Sequence, residues 1–130
     1  MTNLLHPRTF KAAEFSRVAK KAMITDAELC KVIAQVTAGQ ANDPGGGVFK
    51  KWLHDNDYCA IILAKGRGYR VYEYLSAKKD RANINAMELM GFRQPAKAYA
   101  GVTAAQLKPL LADKDWIEIC RETGKQESVL

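Results

Sequence analysis

Long apolar runs are missing from this 130-residue chain. The longest uncharged apolar stretch, residues 58–64, is far short of the roughly 20 residues that a membrane-spanning helix needs, so no transmembrane helix is expected and no membrane partner. The N-terminus also lacks an apolar core of leader length, because His6, Pro7 and Arg8 interrupt the one candidate. A cytoplasmic location is the expectation. Cysteine is scarce: Cys30, Cys59 and Cys120 are an odd count without CxxC spacing, which argues against both a disulfide framework and a zinc knuckle. Reduced thiols are expected, with no metal and no cofactor. No GK[ST] follows Gly45, Gly46 and Gly47, so the triple glycine reads as a turn rather than a phosphate loop. Internal repeats and low-complexity tracts are absent as well.

What is present is the composition of an ordinary globular protein, 48% apolar and 26% charged, enough to bury a core. The length fits one domain over 1–130, with a core at about 8–93 and a C-terminal helical extension over 94–130. The formal charge of +6 is uneven. Residues 1–40 carry six Lys/Arg against three acids, residues 41–84 eight against five, and residues 85–130 six against six. A basic surface of this kind favours polyanions, RNA or DNA among them, or an acidic protein segment.

The spacing of Phe15, Val18, Ala19 and Ala22 predicts an amphipathic helix with Lys11, Arg17, Lys20 and Lys21 turned mainly to solvent. Thr25 with Glu28 reads as a capping box opening a second helix on Leu29, Val32, Ile33 and Val36, ended by Gly39. Asn42, Asp43, Pro44 and the glycines then force a turn. Residues 48–53, 58–64 and 69–75 come next as strand-like runs joined by HDND and KGRG, the pattern of an antiparallel meander. Strict alternation in the last run places Arg70, Tyr72, Tyr74 and Ser76 on one face. Asn85 with Glu88, and Thr103 with Gln106, are further capping boxes; Pro95 should disturb or end the helix between them, and Trp116, Ile117 and Ile119 suggest a terminal strand. The expected architecture is α+β: two N-terminal helices packed on a small antiparallel sheet, one sheet face partly open, then C-terminal helices.

In that setting three elements are similar to the RelE/ParE superfamily of bacterial toxin-antitoxin toxins, in its RelE-like branch. They are Gly46-Gly47-Val48-Phe49-Lys50-Lys51, the run begun by Tyr58, and Ala77-Lys78-Lys79-Asp80-Arg81-Ala82-Asn83-Ile84, which resembles the branch's AKxxRxNI signature. The resemblance spans about residues 8–93. It implies a toxin of a type II system that cleaves mRNA, commonly on the translating ribosome, and is neutralised by a cognate antitoxin, here of the helix-turn-helix type. An RNA 2′-hydroxyl attacks the adjacent phosphate in line, so the site needs a proton acceptor, cations for the growing charge, and no metal. The resemblance assigns Lys50, Lys51, Lys78 and Arg81 to catalysis, with His54 as a candidate base. Arg70, Tyr72, Tyr74 and Lys79 would hold phosphates and stack bases.

The sequence also departs from the family pattern. Relatives usually carry Arg directly after the tyrosine that begins the middle strand, where this chain has Cys59, an exchange that one base change can produce. His54-Asp55-Asn56-Asp57 stands where relatives tend to have a glycine-rich basic loop, and Trp52 where many have another cation. Each candidate has a plain structural reading too. Lys50 and Lys51 suit a protected edge strand, His54 a solvated turn, Cys59 a small buried position, and Arg81 a helix-start ion pair with Asp80. Tyr72 and Tyr74 suit the inner side of the sheet. Two functions emerge: an mRNA-cleaving toxin with rearranged groups, or a RelE-fold protein that has lost cleavage and acts by binding an antitoxin, another protein or nucleic acid. Gyrase poisoning, known in the ParE branch, matches the motifs less well.

Overall fold

The computed structural model describes residues 8–39, 42–64, 69–80 and 84–120. The chain begins with a strand, β1 (Thr9–Ala12), before the two expected helices, α1 (Ala13–Lys21) and α2 (Asp26–Thr37). Strands β2 (Asn42–Gly45), β3 (Val48–Leu53), β4 (Tyr58–Ala64) and β5 (Arg70–Ala77) come after them, then α3 (Ala86–Gly91), α4 (Arg93–Ala100), α5 (Ala104–Ala112) and β6 (Trp116–Ile119). The α+β class holds, but the small antiparallel sheet is replaced by a six-stranded mixed one in the order β2-β3-β4-β5-β1-β6. β1 lies parallel to β5 and antiparallel to β6, so strands from both ends of the chain complete the sheet.

Local chemistry accounts for the boundaries. In α1, Glu14 lies in the first turn and Lys20 and Lys21 in the last, each opposing the helix dipole, and Met23 ends it with φ 62°. Thr25 caps α2 by accepting from the Glu28 N–H, while the Glu28 carboxylate reaches away to His54. Asn85 and Thr103 form full capping boxes with Glu88 and Gln106. Pro95 does not break a helix. It sits in the first turn of α4, where its missing N–H has no intrahelical partner to lose, and Phe92 divides α3 from α4. Gly46 and Gly47, with φ 69° and 80°, make the two-residue turn between β2 and β3.

Both faces of the sheet are covered, which corrects the expectation of a partly open face. Phe15 and Ala19 of α1 and Leu29, Val32 and Val36 of α2 pack on Leu53, Ala60, Ile62, Tyr72 and Leu75. Opposite, Leu89 and Ala96 of α3 and α4 pack on Val48, Cys59, Ile61 and Leu63, and Leu107 of α5 joins Phe10, Val71 and Trp116. The cause is legible in β4: its apolar residues run continuously instead of alternating, so each face must be buried.

Cys30 and Cys120 form a disulfide with an S–S distance of 2.02 Å and Cα atoms 5.4 Å apart, contrary to the expectation of three reduced thiols. It fastens α2 to the residue after β6, at the margin of the first core. Cysteine spacing could not reveal it, because 90 positions separate the partners and only the fold brings them together. Cys59 is the free, buried thiol.

Candidate functional site

The alternation expected of β5 fails at a β-bulge. Ile61 pairs with Tyr74 and Ile62 with Tyr72, leaving Glu73 as the extra residue. The bulge reverses the facing of the rest of the strand. Tyr72 belongs to the core under α1 and α2, whereas Tyr74 packs against α3 and α4. Arg70, Tyr72, Tyr74 and Ser76 therefore do not form one cationic and aromatic surface. Tyr72 is fully buried and donates its hydroxyl to the Leu29 carbonyl at 2.7 Å; burial, reinforced by Glu28, pushes its pKa up. That is a packing role. Arg70 is half-buried at the start of β5, where burial lowers its pKa and its Nε has no hydrogen-bond partner.

Register brings a second set together on the α4 side. Trp52, Cys59 and Ser76 lie in one cross-strand row, and Lys50, Ile61 and Tyr74 in the next. Lys50 is only 9% exposed, and its Nζ lies 5.6 Å from the centroid of the Trp52 ring. Ser76 is buried too, and its hydroxyl has no hydrogen-bond partner. Tyr74 meets the Phe92 ring at 5.9 Å. Burial pushes the Cys59 thiol up, against the attraction of Lys50, so at neutral pH it is a neutral filler rather than a nucleophile. Lys51, next in the chain, points by alternation to the α2 side. The two lysines do not act from one surface.

The turn after β3 holds three successive residues with positive φ, His54 at 50°, Asp55 at 53° and Asn56 at 70°. His54 Nε2 stands 2.8 Å from Glu28 Oε1, and its ring meets Tyr58 edge-on at 6.0 Å. The turn after β5 reaches the same end of the sheet, since the Lys78 N–H donates to the Asp57 carbonyl at 2.8 Å. Lys78 and Lys79 are exposed there. Arg81 lies outside the described residues.

Sequence reasoning missed two carboxylates. Glu28 looked like a capping residue only, although the same helix position lets it hold an imidazole from the neighbouring turn. Glu73 accepts from the Tyr99 hydroxyl at 2.9 Å; burial raises its pKa, and burial together with Glu73 pushes Tyr99 up to about 12. Only the bulge aims Glu73 at α4. Among the described residues no group of three His, Cys, Asp or Glu side chains could hold a metal ion.

Together these features define a basic α+β protein whose candidate polar groups gather at one end of a sheet and on the side that α3 and α4 cover. The family model described as "RelE toxin of RelE / RelB toxin-antitoxin system" matches residues 7–119, and the chain belongs to that family. It is thus a toxin-antitoxin toxin, with an antitoxin as its implied partner. Neither a curated protein nor a solved structure matches the chain. No helix among the described residues is long and apolar enough to cross a membrane.

Proposed function

We propose that this toxin inhibits translation by cutting mRNA without a metal, at the sheet end where the His54 and Lys78 turns meet. The observation that supports this reading is the Lys78 to Asp57 backbone bond, which joins the turn carrying the carboxylate-held imidazole to the turn carrying the exposed lysine pair. In the step itself the 2′-oxygen bonds to phosphorus as its proton passes to His54. The bond to the 5′-oxygen breaks, and that oxygen takes a proton from solvent, leaving a 2′,3′-cyclic phosphate and a 5′-hydroxyl. Lys78 and Arg81 would balance the charge on phosphorus, with Lys79 on the flanking phosphate. Lys50 and the Ser76 hydroxyl, in neighbouring cross-strand rows, would supply a second anion contact once the α3–α4 cover shifts, with Tyr74 offering a ring to a base. On this reading the antitoxin is of the helix-turn-helix type and the mRNA is met on the ribosome.

Induction of the chain in a bacterium, with transcript ends mapped, tests this. Wild type should arrest growth and leave cyclic-phosphate ends, and His54→Ala or Lys78→Ala should slow cutting by roughly 100-fold. Intact transcripts in wild-type cells would overturn it. A second reading, a toxin that acts by binding alone, is favoured by the burial of Cys59 at 1% exposure and by the α3–α4 cover over Lys50. Its mark would be growth arrest with uncut mRNA.

A further inference from the structure

Glu28 is the third residue of α2, and its backbone and side chain do different jobs. Its N–H donates to Thr25 Oγ1 at 3.2 Å and serves the helix cap, while its carboxylate lies 2.8 Å from His54 Nε2. The helix around it is tied to three strands. Lys11 of β1 donates to the Asp26 carboxylate at 2.7 Å, Tyr72 of β5 donates to the Leu29 carbonyl at 2.7 Å, and Cys30 is bonded to Cys120, directly after β6. These anchors stand on both sides of Glu28 within about one and a half helical turns, so its backbone has a fixed place over the sheet. His54 has the opposite character. It opens a run of residues with positive φ, a backbone state that residues other than glycine keep only where their surroundings hold it. Helix and turn meet through the carboxylate and the ring, with the Tyr58 ring edge-on to the imidazole at 6.0 Å.

We propose that Glu28 is the positioning residue of the His54 ring: it takes the Nε2–H, so that Nδ1 is the atom that receives the 2′-hydroxyl proton. The choice of Nδ1 rests on the mRNA-cutting reading, and the choice of Nε2 for Glu28 does not. A carboxylate only accepts, and a neutral imidazole has a single N–H, so a ring bound to Glu28 through Nε2 carries its hydrogen there and presents its lone pair at Nδ1. When the 2′-oxygen bonds to phosphorus its proton passes to Nδ1, while the Nε2–H stays on nitrogen and faces the carboxylate, which balances the new positive charge. Nδ1 then returns its proton to solvent, the source of the proton that the 5′-oxygen takes. Glu28 touches no RNA atom in this step and acts through His54 alone.

The first measurement needs no RNA, so its outcome is separate from that of the mRNA reading. Histidine labelled with ¹⁵N is followed in a His6→Gln background, which leaves His54 as the chain's one imidazole, at about pH 8.5, well above the ordinary imidazole value. In this protein Nε2 should carry the hydrogen, with its N–H resonance held against exchange with water and Nδ1 bare. Glu28→Gln, whose side-chain oxygen still accepts, should keep that resonance, and Glu28→Ala should lose it. Both should unfold near the wild-type urea midpoint, because the side chains of the pair are 33% and 30% exposed and the Thr25 cap uses only the Glu28 backbone. In single-turnover cutting, Glu28→Ala should lower the rate at saturating RNA by about tenfold or more and leave the half-saturating RNA concentration unchanged, with Glu28→Gln between it and wild type. The proposal is overturned by a hydrogen on Nδ1 in the neutral ring, by an Nε2–H that persists in Glu28→Ala, or by a Glu28→Ala defect that lies in RNA binding and not in rate. If the parent chain cuts no RNA, the mRNA reading falls, and the spectra alone decide whether Glu28 sets the ring.

Discussion

At residue scale the groups that carry consequence are buried ones. Glu73 has a raised pKa, above the 4.5 of a free glutamate, because burial disfavours its charged form. In the window between that value and the higher folded one, the native state holds more protons than the unfolded chain. Stability must therefore fall as pH rises through it. Glu73→Gln keeps an acceptor for the Tyr99 hydroxyl and removes the titration, so urea midpoints measured from pH 4 upward should lose that decline (about one group's worth of slope). Cys59 makes a second case. The family's usual arginine would here place a guanidinium at a position 1% exposed, between Trp52 and Ser76. Cys59→Arg should destabilise by about 3 kcal/mol or more in denaturant unfolding, whereas Cys59→Ala should cost about 1. A wild-type-like midpoint for the arginine variant would show that the row opens to solvent.

At the scale of elements, β4 and β5 decide the layout. Ile61 and Ile62 point to opposite sides, yet each is fully buried. Alanine at either should cost about 2–4 kcal/mol, while a sheet open on one side would spare Ile61 most of that cost. Much of this was legible in the sequence: the helix spacings, the capping residues and the three central strands; the apolar run of β4 also carried the need for two covered faces, yet one face was expected to stay partly open. The bulge was not. Strict alternation is the only face signal that a strand sequence carries, and one inserted residue inverts it, so the aromatic surface drawn from Tyr72 and Tyr74 dissolved at Glu73. β1 escaped for another reason. Four residues leading into a helix give no period to read, and their pairing with β5 and β6 depends on partners distant in the chain.

At the scale of the whole molecule the disulfide is the largest single constraint. A loop of 90 residues closed by Cys30–Cys120 restricts the unfolded chain by about 4–5 kcal/mol on the chain-entropy account. Reduction, or Cys30→Ser/Cys120→Ser, should lower the urea midpoint accordingly, and the β6 amides should lose exchange protection first, because the edge strand is what the bridge fastens. The order of strands carries a consequence of another kind. β1 is made first, but one neighbour is β5 and the other is β6; Arg8 meets Glu118 across 110 positions. A nascent chain thus carries its first strand without its full set of neighbours until Trp116–Ile119 has emerged from the ribosome. In space the sheet is completed from its middle outward, but in time the pairing of its two sequence-distant strands comes last.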